Sequence, residues 1–222
     1  MWAAVPENAW LNSPVNILHA EQKFSQLAVA HKLGFTVPDT ITTNRWEEVI
    51  ASLPKDIVFK IAHIYAMYSE PDDIQTVYTT PLTNSQDKLP VQGNPFPGLW
   101  QARVDKAREW RITVVGDTTF DAAVYTSEDA KDDWRRHTGK PSAVTFKSEP
   151  FPDELKAKCI EYLRYYKLRF GAFDFIEDRD GRIVFLECNT NGQYKWLEDE
   201  LGFPISSAIA CELAGIADGS IS

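Results

Sequence analysis

The alternation of apolar and polar residues predicts a mixed chain in which helices and hairpins follow one another. Apolar residues recur at helical spacing in five segments: HAEQKFSQLAVAHKLGF (19–35), RWEEVIASL (45–53), PDELKAKCIEYLRYYKL (152–168), 194–201 and 205–215. Strand patterns occupy seven: DIVFKIA (56–62), IQTVYTTPL (74–82), GLWQARV (98–104), EWRITVVG (109–116), TTFDAAVYT (118–126) and the two arms of FGAFDFIEDRDGRIVFLECNTNGQ (170–193). Residues 1–18, 63–73 and 82–98 are predicted to be irregular or loop, and Asn44 is expected to cap the second helix. The predicted fold class is therefore α+β.

The last hairpin places acidic residues among apolar ones. Asp180-Gly181 predicts a two-residue type I′ turn. With that turn, Asp174 lies directly opposite Glu187 across the ladder. Because side chains alternate along a strand, Phe185, Glu187 and Asn189 are expected on one face.

Opposed carboxylates repel each other, so a positive group is expected between Asp174 and Glu187. Mg²⁺ meets the requirement because it prefers oxygen ligands and is often held by one or two carboxylates together with a substrate's phosphates. Asn189 would add an amide oxygen. The alternative is a solvent-facing pair at a sheet edge that binds no ion.

Composition limits the class of protein. The 222 residues are 44% hydrophobic and 25% charged, with a net charge of −9, which argues against a general nucleic-acid binder. The three cysteines have no metal-binding spacing and favour a reducing, cytoplasmic setting. The sequence has neither a membrane-length apolar run nor a signal-peptide pattern, so no membrane partner is expected.

Four basic residues are candidates for binding phosphate: Lys23, Lys60, Arg111 and Arg135. Lys60 carries the most information, because it interrupts an apolar strand and a buried ammonium needs an anion. A snorkelling lysine at a sheet edge is its alternative. Distributed cations together with Mg²⁺ are what a nucleoside triphosphate requires.

For the other three basic residues, explanations other than phosphate binding remain open. Arg111 could form a surface salt bridge with Glu109 or Asp105, Lys23 could be a solvated helix lysine, and Arg135 alone carries no information. The chain lacks the GxxxxGK[ST], GxGxxG, HRD, DFG, HExxH and GxSxG motifs, which excludes P-loop proteins, Rossmann dinucleotide binders and protein kinases.

The order of these features resembles the ATP-grasp ligases: a lysine on an early helix, a second lysine in a strand, a hinge, and an acidic hairpin ending in Glu-x-Asn. The segments VYTTPLT, EWRITVVGDTTF, DWRRHTG and LRFGAFDFIEDRDGRIVFLECNTNGQYKWLEDELGFPIS are similar to those of the graspetide (microviridin-type) maturases of ribosomal peptides. The similarity extends from about Asn12 to Ala214.

The resemblance implies an ATP-grasp fold of two lobes with the nucleotide between them. Residues 1–18 would be an irregular N-terminal segment, 19–101 the lid lobe, and 102–222 the core lobe with the Mg²⁺ and phosphate site. Family members usually carry a further α/β domain before the position at which this sequence begins, so that domain is expected to be lacking here.

It also implies a role for each candidate residue. Lys23 and Lys60 would bind ATP phosphates from the lid lobe. Arg111 would contact a phosphate or the acyl-phosphate, and Arg135 would lie near the acceptor carboxylate or a phosphate. The backbone of the hinge would bind adenine through Gln101, Ala102, Arg103 and Val104. Mg²⁺ would be held by Asp174, Glu187 and Asn189.

The implied reaction activates a side-chain carboxylate of a ribosomal precursor peptide with ATP, and a hydroxyl or amine of the same peptide then displaces phosphate to give an ester or amide crosslink. Two alternatives remain. The protein could join an amino acid or amine to a small acid or protein tail, or it could be a non-catalytic relative that binds a precursor peptide, a second copy or a partner ATP-grasp protein. The expected lack of the further domain and the presence of Ala102, where the family usually has Glu, favour the last alternative.

Overall fold

The computed structural model describes residues 4–6, 9–54, 56–60, 67–70, 73–75, 80–82, 97–127 and 144–219. The helices within these ranges are α1 (Pro14–Ala20), α2 (Lys23–Lys32), α3 (Trp46–Ser52), α4 (Asp153–Tyr165), α5 (Lys195–Leu201) and α6 (Ile205–Asp218). The strands are β1 (Thr40–Thr43), β2 (Ile57–Lys60), β3 (Met67–Glu70), β4 (Asp73–Gln75), β5 (Thr80–Leu82), β6 (Gly98–Ala102), β7 (Lys106–Val115), β8 (Thr118–Thr126), β9 (Val144–Ser148), β10 (Phe170–Asp178) and β11 (Ile183–Asn189). No helix among the described residues is long and apolar enough to cross a membrane.

The chain divides into two compact units. The first unit comprises Met1–Val37, Lys106–Tyr125 and Val144–Ser222, and the second comprises Pro38–Asp105 and Thr126–Ala143. These bounds differ from the predicted lobes, because the N-terminal helices α1 and α2 cluster with the C-terminal part of the chain. The expected irregular segment also ends early, since α1 begins at Pro14 and Pro is well suited to a first helical turn.

The first unit is built on a five-stranded sheet in the order β11-β10-β7-β8-β9, in which the pairs from β11 to β8 are antiparallel. Its larger core lies on one face, where Phe173, Phe175 and Phe185 pack against helical residues such as Tyr162 of α4. The rings of Tyr162 and Phe173 meet edge to face at 5.4 Å between centroids. Each buried phenylalanine of this kind stabilises the fold by about 1.5–3 kcal/mol.

The opposite face of the same sheet is apolar at one end only. There Val115 and Phe170 pack with Leu197 of α5 and Ile205 of α6 in a second buried cluster. Alternation along β7 then brings Thr113 and Arg111 to this face beyond the cluster. The sheet therefore has one mainly apolar face, which also carries the Arg108–Glu177 ion pair, and one face that changes from apolar to polar along its strands.

The β10–β11 hairpin differs from the predicted hairpin at its turn. Asp178 N–H donates to Arg182 O at 3.0 Å, and among the three residues between them only Gly181 has positive φ, at 79°. The loop thus has three residues, and the predicted type I′ turn is wrong. Hydrogen bonds from the backbone N–H groups of Arg182 and Asp180 to the Asp178 carboxylate lower the pKa of that group.

A bulge corrects the shift that the longer loop introduces. Phe175 pairs with Phe185, whereas the next pair is Asp174 with Glu187, so Leu186 is the extra residue. The predicted pairing of Asp174 with Glu187 is therefore confirmed, although the turn from which it was counted is not. The prediction that Phe185 shares a face with Glu187 is wrong, because the bulge turns Phe185 into the core.

The second unit contains a four-stranded sheet in the order β1-β6-β2-β5. Trp100 of β6 packs with Ile57 of β2 and Val49 of α3, and its indole N–H donates to Thr43 O at 3.0 Å. The helix α3 begins after Arg45 rather than after an Asn44 cap. Thr43 Oγ1 accepts the Arg45 N–H at 3.0 Å instead, which fixes the start of the helix.

The strands β3 and β9 were not predicted from the sequence. The segment that was expected to be a loop contains β3, which pairs with β4. The edge strand β9 follows residues 128–143, which lie outside the described part of the chain. Short edge strands have few apolar positions, so their pattern is weak.

Replacing Asn12 with Ala is expected to lower the free energy of unfolding by about 3 kcal/mol, because several buried backbone groups lose their partners. Asn12 Nδ2 donates to Phe170 O and Thr190 O, both at 2.8 Å, and Oδ1 accepts from Arg169 N and Phe170 N at 2.8 and 3.1 Å. Urea unfolding measures the loss.

Asn16 supplies the control for that prediction. It is half-buried, and its solvent-exposed side-chain hydrogen bond to Lys167 O is 3.1 Å long. Asn16→Ala should cost about 1 kcal/mol or less. Equal losses in the two variants would contradict the role assigned to Asn12.

Candidate functional site

A buried ion pair forms the centre of the polar face of the first unit. Arg111 Nη1 of β7 donates to Asp174 Oδ1 of β10 at 2.7 Å, and the two residues are register partners on adjacent strands. Each is 6% exposed. A buried carboxylate is tolerated only when it is paired and hydrogen-bonded, so Arg111 is what allows Asp174 to be charged here. Neither of the surface partners considered for Arg111 from sequence is involved in this bond.

A second ion pair lies beside the first. Lys23 Nζ, at the start of α2, is 3.6 Å from Glu187 Oε2 of β11. Glu187 is also the cross-strand partner of Asp174. About a fifth of each side chain is exposed, at 23% for Lys23 and 21% for Glu187, so this pair is within reach of solvent. Lys23, which was expected in the lid lobe, thus contacts the predicted metal ligands in the first unit.

Asn189 links the two carboxylates. Its Nδ2 donates to Asp174 Oδ2 at 3.0 Å and approaches Glu187 Oε1 at 3.4 Å. One oxygen of each acid therefore points to the same atom, so the carboxylates converge. Rotating the amide half a turn about its last side-chain bond would bring Oδ1 to the place of Nδ2.

The positive charge predicted between the acids is supplied by the protein itself. Arg111 and Lys23 together balance the charges of Asp174 and Glu187. Charge repulsion alone consequently does not require a metal. Cys188 lies between Glu187 and Asn189 on β11. Burial raises the pKa of its thiol, so Cys188 is neutral and adds no charge to this cluster.

Two buried polar atoms on β7 have no hydrogen-bond partner among the described residues: Arg111 Nε and Thr113 Oγ1. Thr113 is 0% exposed and is the register partner of Ala172, which lies two positions before Asp174 on β10. Unsatisfied buried groups are costly and rare, so each needs an explanation. A guanidinium N–H and a hydroxyl on the face that carries the acids are suited to an anion such as a phosphoryl group.

The donor set fits Mg²⁺. Two converging carboxylates and one amide are hard oxygen ligands, and Mg²⁺ is usually held by one or two carboxylates together with substrate phosphates. The described residues contain no cluster of three or more His, Cys, Asp or Glu side chains placed around a metal. The set therefore suits an ion that a phosphorylated substrate helps to hold.

The hinge residues lie in the second unit, on the central strand β6 and just beyond it. The N–H groups of Ala102 and Arg103 donate to Asp39 O and Asp56 O, each at 2.9 Å. Gln101 is 1% exposed, and its Nε2 donates to Thr40 Oγ1 at 3.0 Å. Adenine binding by this segment stays a prediction, and it would have to use backbone groups other than those two N–H groups.

The remaining basic candidates are not brought into the cluster by any described contact. Lys60 ends β2 in the second unit, where it is half-buried and pairs in register with Leu99. Its role in binding phosphate stays a prediction, as does that of Val104 in the hinge. Arg135 lies outside the described residues.

Sequence reasoning missed two residues of this region, and both left a signal. Thr113 is two positions from Arg111 in a strand, so alternation alone places it on the same face. Gln26 follows Lys23 by one helical turn and precedes the buried Val29 and Ala30 at helical spacing. A glutamine in the buried stripe of a helix is unusual and indicates a specific partner.

Comparison with known proteins was made against family models, curated proteins and solved structures. No family model matches the chain, and the search of curated proteins gives no match either. Solved structures do match. The macrocyclase MdnC from Microcystis aeruginosa MRC, bound with precursor peptide MdnA, is 32% identical with a TM-score of 0.76. The match covers 92% of this chain and 64% of that one.

Two other solved structures extend the comparison. A Chryseobacterium gregarium RiPP-associated ATP-grasp ligase, in complex with ADP and a leader and core peptide, is 29% identical with a TM-score of 0.80, over 92% of this chain and 62% of that one. The ATP-grasp ligase PsnB, complexed with minimal precursor, Mg and ADP, is 19% identical with a TM-score of 0.68, over 90% and 61%. At that identity, PsnB shows the fold alone.

The architecture and these matches establish that the chain has the ATP-grasp fold, as predicted. Its structural neighbours are the RiPP-associated ATP-grasp ligases, so the resemblance stated from the sequence is confirmed. The chain spans about 64% and 62% of the length of the first two neighbours, MdnC and the Chryseobacterium ligase.

Proposed function

We propose that this protein is an ATP- and Mg²⁺-dependent carboxylate ligase that acts on a ribosomal precursor peptide. It activates a side-chain carboxylate and joins it to a hydroxyl or amine of the same peptide, which gives an ester or amide crosslink. The observation that carries the proposal is the convergence of Lys23, Arg111, Asp174, Glu187 and Asn189 on one face of the sheet of the first unit. Of the neighbours with this fold, one is named as a macrocyclase bound with a precursor peptide, and another as an ATP-grasp ligase in complex with ADP and a leader and core peptide.

The chemistry proceeds in two steps that this cluster is equipped to support. A peptide carboxylate oxygen attacks the γ-phosphorus of ATP, the bond to the bridging oxygen breaks, and ADP leaves with that electron pair. The acyl-phosphate carbonyl is then attacked by a hydroxyl or amine, which loses its proton as inorganic phosphate departs. Both steps depend on positioning reactants and on neutralising phosphoryl charge.

The side chains divide this work by charge. Arg111 would turn its buried Nε toward a phosphoryl oxygen while Nη1 keeps Asp174 in place. Lys23 would lie near the phosphates from the start of α2. Asp174, Glu187 and Asn189 would hold Mg²⁺, which, when bound, supplies charge neutralisation for the phosphates of the nucleotide.

Adenine and the remaining phosphates would be bound by the second unit. There Lys60 and the segment Gln101 to Val104 are the proposed contacts, and Arg135 would complete the phosphate or acceptor site. The bound partner is a precursor peptide, and a second copy of the chain or a partner ligase is a further proposal. A cytoplasmic location follows from the use of intracellular ATP.

A non-catalytic, peptide-binding function is the second candidate, and one observation favours it. The two carboxylates are already paired with Arg111 and Lys23, so the cluster is electrostatically balanced by protein groups alone. A chain that had lost catalysis could keep such a cluster for its stability. Ala102, in place of the usual glutamate, points the same way.

The test of the proposed function starts with calorimetric titration of the chain with ADP, with and without Mg²⁺. We expect heat and a rise in melting temperature that both require the metal. Incubation with Mg²⁺, ATP and a small Thr/Glu- or Lys/Asp-rich peptide encoded beside the gene should then release ADP and reduce the peptide mass by one water per crosslink.

The outcomes separate the candidates. A gain in peptide mass in the presence of amino acids would indicate ligation to a second molecule instead of internal cyclisation. Binding of the peptide without binding of Mg²⁺·ADP would support the non-catalytic candidate and overturn the ligase.

A further inference from the structure

Gln26 of α2 makes a strand-like pair with Cys188 of β11. The Cys188 N–H donates to Gln26 Oε1 at 2.9 Å, and Gln26 Nε2 donates back to Cys188 O at 2.9 Å. The second hydrogen of Nε2 goes to Ala20 O at 2.7 Å. Gln26 is 4% exposed, so its amide is buried with both hydrogens and its oxygen in use. A side-chain amide here does what the backbone of a neighbouring strand would do.

The position of this pair matters because β11 is the edge strand of the sheet in the first unit. Backbone groups of an antiparallel strand alternate between one side and the other. Glu187, Cys188 and Asn189 all pair in register with β10, but the N–H and C=O of Cys188 face away from β10 and meet Gln26. Without Gln26, this edge would have one unpaired donor and one unpaired acceptor.

Gln26 also fixes the helix that carries Lys23. The two residues are three positions apart on α2 and so lie on the same side of it. Lys23 reaches Glu187 while Gln26 holds the next residue along β11. One turn of helix and three residues of strand are thereby locked together in register.

We propose that Gln26 is a positioning residue for the phosphate and metal cluster, an inference that rests on the proposed ligase function. By pairing with Cys188 it holds Glu187 and Asn189 at the spacing in which their side chains converge with Asp174. It acts through the backbone of β11 and makes no contact with the substrate. Mutation of groups that orient metal ligands typically lowers metal affinity or activity by about 10–100-fold.

The experiment compares Gln26→Leu with Gln26→Glu and with a control on the same helix. Leu removes every hydrogen bond to Cys188. Glu keeps an acceptor for the Cys188 N–H, but it places an oxygen where Nε2 donates to the carbonyl oxygens of Ala20 and Cys188. Gln26→Glu is the test variant if the Leu variant does not fold. The control is Ser25→Ala, because Ser25 Oγ lies 2.6 Å from Tyr166 OH and makes no contact with Cys188 in the described hydrogen bonds.

The first measurement is hydrogen–deuterium exchange of the full chain without nucleotide. In Gln26→Leu the Cys188 amide should exchange at least about tenfold faster, because its hydrogen bond is lost. The amides of β7 and β8 should keep their protection. Ser25→Ala should leave the exchange of Cys188 unchanged. Wild-type exchange of Cys188 in a folded Gln26→Leu protein would overturn the proposal.

The second measurement is the Mg²⁺ dependence of ADP binding by calorimetry. Gln26→Leu should raise the Mg²⁺ concentration needed for half-saturation by about 10–100-fold, as expected for loss of an orienting partner. At saturating Mg²⁺ the affinity for ADP should return to that of the wild type, which a general loss of folding would not produce. An unaltered Mg²⁺ dependence would overturn the role in positioning the ligands.

The two measurements also separate this inference from the proposed function. Absence of Mg²⁺·ADP binding by the wild-type chain would overturn the proposed function, and with it the metal role of Gln26. Accelerated exchange of Cys188 in Gln26→Leu would still support Gln26 as the residue that holds this strand. Unchanged exchange would overturn that as well.

Discussion

Arg111→Met should lower the free energy of unfolding by about 3–5 kcal/mol, the cost of leaving one partner of a buried ion pair without the other. Asp174 would remain 6% exposed with its Arg111 bond gone and only weaker contacts such as the Asn189 amide in place. Methionine fills a similar volume without charge, so the loss reflects electrostatics more than packing. Urea unfolding at neutral pH measures it.

The exposed pair Arg164–Asp117 provides the control. Its N–O distance of 2.8 Å is close to the 2.7 Å of the buried pair, but both side chains are more than two-thirds exposed. Arg164→Met should therefore cost less than about 1 kcal/mol, since solvent screens such pairs. Equal effects from the two variants would contradict the assignment of Arg111 and Asp174 as a buried pair.

The double variant Arg111→Met with Asp174→Leu separates stability from function. Removing both charges should recover most of the lost stability, because apolar replacement of a buried ion pair is often neutral or better. Mg²⁺·ADP binding and turnover should remain absent, since a proposed phosphate contact and a proposed metal ligand are gone. A double variant that is stable and active would show that this pair only supports the fold.

The hairpin illustrates how far the sequence determines this site. Alternation and the Asp180-Gly181 signal predicted the pairing of Asp174 with Glu187, and the pairing exists. The counting was nevertheless wrong at the turn, and the extra residue of the bulge at Leu186 compensated for it. A bulge has no reliable sequence signature, because it depends on how both faces of the strand are packed.

Most of the contacts that could not be predicted from the sequence join residues that are far apart along the chain. The alternative left open for Arg111 was a salt bridge with a nearby acid, but its partner is Asp174, 63 positions away. The grouping of α2 with the C-terminal strands depends on Gln26 and Cys188, which are 162 positions apart. Local pattern reports which face a residue occupies and says nothing about which distant strand that face meets.

Glu187→Gln is expected to have the opposite balance of effects, with a large loss of function and little loss of stability. Glu187 is 21% exposed and its distance to Lys23 is 3.6 Å, so losing its charge should change stability by about 1 kcal/mol or less. Mg²⁺-dependent ADP binding and peptide-dependent ADP release should fall by at least about 100-fold, since an orienting partner alone can account for that much. Glutamine keeps the size of the side chain and one carbonyl oxygen, so the loss reports on charge.

Glu161→Gln on the exposed surface of α4 is the matched control, since it removes the same charge from the same unit away from the cluster. It should bind Mg²⁺·ADP as the wild type does. Retained turnover in Glu187→Gln would exclude Glu187 as a metal ligand and leave its pairing with Lys23 as its whole role. In that case only Lys23, and not Mg²⁺, binds this carboxylate. Lys23→Met should then also leave the Mg²⁺ requirement unchanged. If Glu187 is a ligand, Lys23→Met should instead lower the Mg²⁺ concentration needed for half-saturation, because Lys23 no longer competes for the carboxylate. The same variant should weaken phosphate binding. Only a carboxylate shared by Lys23 and Mg²⁺ produces this combination.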